Sequence, residues 1–266
     1  MDLIMLGTGN AVATNCYNTC FILNNDDKYF LVDGGGGSGL FRQLEYAGID
    51  WKDIGEVFVT HKHMDHLFGV LWLIRLVCQY SVRGDYDGEL FIRGHSEVIS
   101  IINDFIARLL RPVELECMGT VVHLVSVVNG EHCIINGHDV VFFDVGSDRT
   151  LQYGFSMILD DGSKFSCCGD EPFHECVRDY VYGSKWLLHE AFCLFSDADV
   201  FNPYEKNHST VKDACLVAES LDVENLVLYH TVDDDIDSRK KRFYDEGCMF
   251  FSGRLFIPDD LEVFSL

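Results

Sequence analysis

The amino-acid sequence predicts an α/β protein in which two mixed β-sheets are sandwiched between helices. Strand-like segments cluster early in the chain without intervening helices, and amphipathic helical segments then cover them. The hydrophobic content of 48% is typical of a globular chain that buries a substantial core. The chain has only four prolines, and no Ser/Gly/Pro-rich stretch separates two halves. We therefore expect one domain over residues 1–266.

The first part of the chain contains a strand, a hairpin, a helix, another strand and a second helix. The segment SGLFRQLEYAG is expected to end as a helix at Gly48, because glycine readily adopts the conformation that closes a helix. The segment LFGVLWLIRLVCQY repeats apolar residues at a spacing of three to four, which indicates one buried helical face. The predicted strands are DLIML, the hairpin pair TCFIL and YFLVD, and EVFVT.

The second part of the chain repeats strands and helices and completes both predicted sheets. Strand LFIRG, helix SEVISIINDFIARLL and strands near residues 121–128, 139–145, 154–159 and 163–168 come first. The remaining segments are KWLLHE, HSTVKDACLVAESL, NLVLYH, DSRKKRFYDEG, RLFI and LEVFSL. Their alternation favours a layered arrangement with helices on the outside.

The charge of the chain argues against structured nucleic acid as a partner. Acidic residues number 43 and basic residues 20, for a formal net charge of -23. Proteins that hold nucleic acid through its phosphates normally present a basic face. The one basic run, residues 238–243, follows an acidic segment and is expected to form one face of a solvated helix.

Composition also indicates a cytoplasmic protein that has no membrane partner. No apolar run approaches the ~18 residues that span a bilayer, and the first residues, MDLIMLGTGN, lack the pattern of a signal peptide. The eleven cysteines are scattered and odd in number, so we expect reduced thiols packed as small apolar residues. The sequence leaves homodimerisation open.

The segment VFVTHKHMDHLFG contains the strongest functional signal in the chain. His61, His63, Asp65 and His66 fall within six positions. His61 and His63 are two residues apart on an extended segment, so both rings can face one cation. Asp65 and His66 lie where the chain turns into a helix and can serve a neighbouring cation. Such a set after a strand suits an open metal site, and a polar loop with chance histidines is the alternative.

Two later strand ends offer further metal ligands. Asp170 follows a short apolar strand and a glycine in SCCGDEP, where its carboxylate can bridge two cations. His230 ends the buried strand in NLVLYHT. A lone strand-end histidine is more often satisfied by hydrogen bonds. Together with the histidine cluster, however, both residues are consistent with one site.

These motifs resemble the metallo-β-lactamase superfamily of metallohydrolases, and within it the ribonuclease Z-like phosphodiesterase branch. The segments LGTGNAV, LVDGGGG, LLHEAF, HSTVKDA and GRLFIPDDLEV are similar to further motifs of that branch, so the resemblance covers nearly the whole chain. It implies a four-layer αββα sandwich that binds two divalent metal ions. It also implies that His61 and His63 bind the first metal, that Asp65, His66 and His230 bind the second, and that Asp170 bridges them.

The sequence departs from that branch in three ways. The family's remaining first-metal histidine aligns with Asp148, which we interpret as a substitute ligand, a solvated loop aspartate being the alternative. Only 21 residues separate Asp148 from Asp170, so the arm of the transfer-RNA-processing members has no room. The chain also reads HTVDDDID where those enzymes follow the last histidine with Ser and an Arg-Tyr pair. We therefore expect weak or absent processing of structured tRNA.

The expected chemistry is hydrolysis of small or single-stranded phosphodiesters, such as cyclic nucleotides, by water that two metal ions activate. Both ions are expected to be Zn²⁺, or Mn²⁺ or Fe²⁺ at the site that contains Asp148. Asp65 would orient the nucleophile. By the resemblance, His208 near Glu190 would protonate the leaving group, although Glu190 and His189 can equally support the ligands. The alternatives are a lactonase or thioesterase of the same fold, against which the His208–Glu190 pair argues, and a metal-binding protein with impaired catalysis.

Overall fold

Two seven-stranded β-sheets and the helices outside them form the computed structural model, which describes residues 1–266. The first sheet has the strand order β14-β1-β2-β3-β4-β5-β6. Its strands are β1 (Asp2–Gly7), β2 (Cys20–Asn25), β3 (Lys28–Val32), β4 (Ile54–Phe58), β5 (Leu90–Gly94), β6 (Val122–Ser126) and β14 (Val263–Ser265). Pairing is antiparallel from β14 to β3 and parallel from β3 to β6.

The second sheet has the strand order β13-β12-β11-β10-β9-β8-β7. Its strands are β7 (Glu131–Ile135), β8 (His138–Asp144), β9 (Tyr153–Ile158), β10 (Lys164–Cys167), β11 (Trp186–Glu190), β12 (Asn225–Tyr229) and β13 (Arg254–Phe256). The strands from β10 to β13 are parallel, whereas those from β7 to β10 are antiparallel. Both sheets are therefore mixed, as the sequence predicts.

Eight α-helices connect the strands. They are α1 (Gly39–Tyr46), α2 (Met64–Arg83), α3 (Ser96–Leu109), α4 (Pro112–Leu115), α5 (Arg178–Val181), α6 (Ala198–Phe201), α7 (Val211–Ser220) and α8 (Ile236–Gly247). Short 3₁₀ turns occupy Trp51–Asp53, Glu175–Val177, Phe195–Asp197 and Tyr204–Lys206. None of the helices combines the length and the hydropathy that crossing a bilayer requires.

Alternating side chains of the strands divide the core into three layers. Leu3 and Met5 of β1 pack between the sheets, where they join aromatic residues of both sheets such as Phe58 and Phe155. Ile4, which lies between Leu3 and Met5 in the chain, faces the opposite way and packs under α1 and α2. A third cluster joins the outer face of the second sheet to α7 and α8. Because side chains alternate along a strand, one strand contributes to two core layers, and the predicted αββα sandwich is confirmed.

Two local features differ from the sequence prediction. Strand β7 was not predicted, although Asn136 and Gly137 both have positive φ and make the tight turn that joins β7 to β8. An Asn-Gly pair between two strands is the usual signal for such a hairpin. In α8, Arg239 is only 3% exposed and donates to Thr231 Oγ1 at 2.9 Å. The basic run is therefore a solvated face except at this buried position.

A close approach of two glycines fixes the start of α2. Gly34 N donates to the His66 carbonyl at 2.8 Å, and Gly69 N donates to the Gly35 carbonyl at 3.0 Å. A Cβ atom added at Gly69 would lie 1.8 Å from the Gly34 carbonyl oxygen. Only glycine allows the backbone after β3 to pack this tightly against α2. This contact sets where the first turn of α2 presents its side chains.

We expect Gly69→Ala to destabilise the protein by about 1–3 kcal/mol, because the extra methyl group forces α2 away from the loop after β3. The free energy of unfolding should be measured by urea denaturation in a metal chelator, so that metal binding does not contribute. Gly55→Ala is the matched control, since a Cβ there would make only an ordinary 3.7 Å contact. Equal stability of the two variants would show that the close approach does not position α2.

Candidate metal centre

Six metal-ligand candidates converge where strands of both sheets end. Strand β4 leads into His61 and His63, and the first turn of α2 carries Asp65 and His66. Asp170 follows β10, and His230 directly follows β12. Strands β10, β11 and β12 are parallel neighbours, so their carboxyl ends share one edge of the second sheet. The structure therefore brings together residues that are up to 169 positions apart in the chain.

Two groups of donor atoms lie close enough to hold a metal ion each. In each group the donor atoms are all within 4.8 Å of one another. The first group is His61, His63 and Asp170, and the second is Asp65, His66 and His230. This division into two groups follows the assignment that the family resemblance implies.

Asp170 faces both groups with different oxygen atoms. Its Oδ1 lies 3.6 Å from His61 Nε2 in the first group. Its Oδ2 lies 3.4 Å from His66 Nε2 and 3.4 Å from His230 Nε2 in the second group. This carboxylate therefore has one oxygen toward each set of imidazoles, which is the arrangement that a bridging ligand would need.

The residues present fit two divalent cations. His61 Nε2, His66 Nε2 and Asp170 Oδ1 are buried and have no hydrogen-bond partner in the protein. Buried polar atoms are nearly always paired, so unpartnered atoms in both donor groups indicate bound ligands. Imidazole nitrogens together with carboxylate oxygens suit Zn²⁺, Mn²⁺ and Fe²⁺.

Threonine hydroxyls fix the tautomers of two of the histidines. Thr60 Oγ1 donates to Asp33 Oδ2 at 2.8 Å and therefore accepts from His61 Nδ1, 3.0 Å away. Thr19 Oγ1 donates to the Gly9 carbonyl at 3.0 Å and so accepts from His230 Nδ1 at 3.1 Å. Because each Nδ1 carries the proton, each Nε2 keeps a lone pair for a metal.

Asp33 performs the same task for His66. Its Oδ2 accepts from His66 Nδ1 at 2.7 Å, and its Oδ1 accepts from the Thr60 backbone N–H at 2.9 Å. Asp33 belongs to the segment LVDGGGG, which resembles a family motif, but the sequence analysis assigned Asp33 no role. An aspartate directly after a buried strand that precedes a histidine cluster is the signal that could have identified it.

Charge and burial together prepare the site for cations. Burial lowers the pKa of His61 well below its usual range and the pKa of His230 to about 4. Burial opposes protonation of His66 as well, but Asp65 and Asp33 raise its pKa well above the usual value. Burial would raise the pKa of Asp170, but His61 and His230 hold it well below its usual range. The carboxylates therefore attract positive charge here, and a divalent cation would supply it.

His208 and Glu190 form an acid–base pair beside the donor group of Asp65, His66 and His230. His208 Nδ1 is 3.4 Å from Glu190 Oε2, and Glu190 is fully buried at the end of β11. Burial opposes protonation of His208, but the neighbouring Glu190 carboxylate raises its pKa. The His208 ring stacks on Phe192 at 4.9 Å and lies 5.2 Å from the His230 ring. His189 is buried, its Nδ1 lies 2.7 Å from the Glu190 carbonyl oxygen, and it belongs to neither donor group.

These groups line a cavity of about 470 Å³. The cavity contacts ligands of both groups and the His208 ring, and its two fully charged basic side chains are Arg149 and Lys206. Buried Glu171 and Gln152, which sequence reasoning did not single out, also line it. The volume lies in the range of small-molecule sites, roughly 300–1,000 Å³.

Asp148 is not brought together with the other predicted ligands. It is exposed, it belongs to neither donor group, and it does not line the cavity, although its neighbours Arg149 and Thr150 do. Its role as a metal ligand stays a prediction.

Comparison with known proteins places these features in a family. The family model described as "Anti-Pycsar protein Apyc1" matches residues 1–250. The ribonuclease Z of Azobacteroides pseudotrichonymphae genomovar. CFP2 is 25% identical over 259 residues, which covers 86% of this chain and 87% of that protein. The metallo-β-lactamase fold protein YhfI from Bacillus subtilis superimposes with a TM-score of 0.78 at 16% identity, over 99% of both chains. The short form of human tRNase Z, ELAC1, superimposes with a TM-score of 0.74 at 20% identity. The superposition covers 100% of this chain and 99% of the ELAC1 chain.

We expect Asp33→Asn to weaken binding of the second metal ion by about 10–100-fold, since the amide no longer holds the His66 ring as a carboxylate does. Asn tolerates the positive φ of 57° at this position, so the backbone should keep its conformation. Calorimetric titration of metal-stripped protein with Mn²⁺ measures the effect. Asp27→Asn, an exposed position with a φ of 61°, is the matched control. Parental affinity in Asp33→Asn would mean that Asp33 does not orient His66.

Proposed function

Because the chain belongs to the Anti-Pycsar protein Apyc1 family and has the metallo-β-lactamase fold, we propose that this metal-dependent phosphodiesterase hydrolyses small phosphodiesters, with cyclic mononucleotides as the substrate class. The observation that carries the proposal is the pair of ligand groups that share Asp170 beneath one small cavity. The ribonuclease Z relatives, whose name denotes cleavage of phosphodiester bonds, support the reaction type.

The ligand groups supply the first half of the reaction. Two divalent ions held there would lower the pKa of a water molecule and offset the charge of the phosphoryl oxygens. Asp65 lines the cavity and is anionic, because His66 and His230 lower its pKa although burial raises it. Its carboxylate is a hydrogen-bond acceptor that orients the attacking water.

His208 and Glu190 supply the second half. Cleavage of a phosphodiester releases an alkoxide, which needs a proton to leave. Glu190 Oε2 favours the protonated form of His208, and Glu190 Oε1 accepts from the Ser209 backbone N–H, which holds the carboxylate in place. The Phe192 ring packs flat against His208 and restricts its rotation. His208 therefore presents a proton toward the cavity that Asp65 and Asp170 also line.

The charge of the cavity favours a small anion over structured RNA. Arg149 and Lys206 are the two fully charged cations of the lining in a chain of net charge -23. Arg149 donates to the Glu205 carbonyl at 2.6 Å, so it joins the loop before β9 to the segment that carries Lys206. Two cations can bind one phosphodiester and its leaving group. The many phosphate contacts that bind tRNA need a basic surface, which this acidic chain lacks on average.

The finer assignments of metal and compartment belong to the same proposal. Zn²⁺ is the expected ion, with Mn²⁺ or Fe²⁺ at the first group. All eleven cysteines are free thiols, and most are buried, which supports a reducing compartment such as the cytoplasm.

The proposal is tested with a substrate panel. We expect the metal-loaded protein to hydrolyse bis-p-nitrophenyl phosphate and cyclic mononucleotides, and chelation followed by re-addition of metal to abolish and restore both activities. Acyl lactones and thioesters should react far more slowly, and precursor tRNA should not be cleaved. Faster turnover of a lactone than of any phosphodiester would assign the chain to a different hydrolase class. Metal binding without any turnover would support a non-catalytic role.

We expect His208→Ala to reduce kcat on cyclic nucleotides by about 10²–10⁴-fold, because the ribose alkoxide then leaves without a proton donor. The kcat on bis-p-nitrophenyl phosphate should fall much less, since p-nitrophenolate leaves without being protonated. His132→Ala, an exposed position on β7, should leave both activities unchanged. Equal losses on the two substrates would assign His208 to substrate binding rather than to proton transfer.

A further inference from the structure

The two metal groups are unequal in the number of side chains that approach them. The second group has Asp65, His66 and His230 in addition to Asp170 Oδ2, whereas the first has only His61, His63 and Asp170. The loop between β8 and β9, residues 145–152, is the segment on which the sequence places a further ligand, Asp148. Asp148 is exposed and does not line the cavity. Another residue of this loop, Gln152, does line the cavity.

Gln152, the last residue of that loop, is held against both strand ends that carry first-group ligands. The next residue, Tyr153, donates its backbone N–H to the Thr60 carbonyl at 3.0 Å, directly before His61. Gln152 Oε1 lies 3.2 Å from the position of a Cβ atom added at Gly169, directly before Asp170. Gln152 is only 3% exposed and lines the cavity together with His63 and Asp170.

The hydrogen bonds of Gln152 leave its carbonyl oxygen free. Gln152 Nε2 donates to Glu171 Oε2 at 3.1 Å, and Glu171 is itself held by Asn207 and His174. Because a carboxylate accepts and an amide nitrogen donates, this contact fixes the orientation of the amide. Oε1 then has no partner in the protein although it is buried. It shares that state with His61 Nε2 and Asp170 Oδ1, two atoms of the first group.

We propose that Gln152, rather than Asp148, is the residue that the β8–β9 loop contributes to the first metal ion, through its carbonyl oxygen Oε1. An amide carbonyl is a neutral oxygen donor that suits harder divalent ions such as Mn²⁺. The first site is therefore selective for a harder ion than a three-histidine site would be. The proposal rests on the two-metal centre of the proposed function, but a count of bound ions does not depend on the substrate.

The test uses the full-length chain, stripped of metal and titrated with Mn²⁺ by calorimetry, with bound ions counted by mass spectrometry. We expect two ions per parent chain. In Gln152→Met, which fills similar space without a donor oxygen, the first ion should bind at least about tenfold more weakly. Asp148→Ala, on the same loop, should retain both ions at parental affinity. Full Mn²⁺ binding by Gln152→Met, or loss of an ion in Asp148→Ala alone, would overturn the proposal.

A histidine exchange keeps the proposal testable if Gln152→Met does not fold. Gln152→His should move the preference of the first site from Mn²⁺ toward Zn²⁺ by about tenfold or more, because imidazole is the softer ligand. Asp148→His should leave that preference unchanged. An unchanged preference in Gln152→His would refute the assignment. If the ion counts follow expectation and no phosphodiester is cleaved, the ligand assignment stands and the proposed function fails.

Discussion

The position of one buried carboxylate, that of Asp170, determines how the rest of the centre is arranged. Its two oxygens face different histidine groups, so both groups depend on where the chain turns after β10. Gly169 makes that turn with a φ of 72°, and the Tyr229 hydroxyl donates to its carbonyl at 2.5 Å. A strand of the same sheet therefore holds the turn in place. Burying a carboxylate requires compensating positive charge or donors, which the surrounding imidazoles and bound cations would supply.

The need to pair buried polar groups also explains why so many polar side chains lie behind the candidate ligands. Three ligand histidines keep Nε2 free only because Thr19, Thr60 and Asp33 engage their Nδ1 atoms. Thr60 contacts both Asp33 and His61, so the two metal groups share one hydrogen-bond network. Glu190 orders His208 in a comparable way on the other side of the cavity. The site is thus preorganised, because its side chains are attached to strand ends. Hydrogen bonds among these side chains keep the acidic and basic groups in a dense cluster.

Much of the fold could be predicted from the sequence because its signals are local. The apolar spacing of α2 and the short continuous apolar runs of β1 and β3 are signals that a few neighbouring residues carry. Strand β7 is at the edge of its sheet with alternating exposed residues, and it was missed because only its turn, Asn136–Gly137, carries a strong signal. The buried Arg239 within a basic run was also not predictable, because one of its partners, Thr8, is 231 positions away in the chain.

The sequence by itself determined the types of the candidate ligands and their local grouping. His61, His63, Asp65 and His66 are neighbours in the chain, and their relative placement follows from a strand that turns into a helix. It also indicated Asp170 and His230, since the carboxyl ends of strands collect functional groups at one edge of a sheet. Only the tertiary structure decided which residue of the loop between β8 and β9 faces the first group. Counting along the chain indicates Asp148, but a loop has no fixed spacing. The backbone hydrogen bond from Tyr153 to Thr60 and the contact of Gln152 with Glu171 hold Gln152 at the cavity, whereas Asp148 is exposed. The role of Asp33 was decided in the same way, by a 2.7 Å contact between residues 33 positions apart.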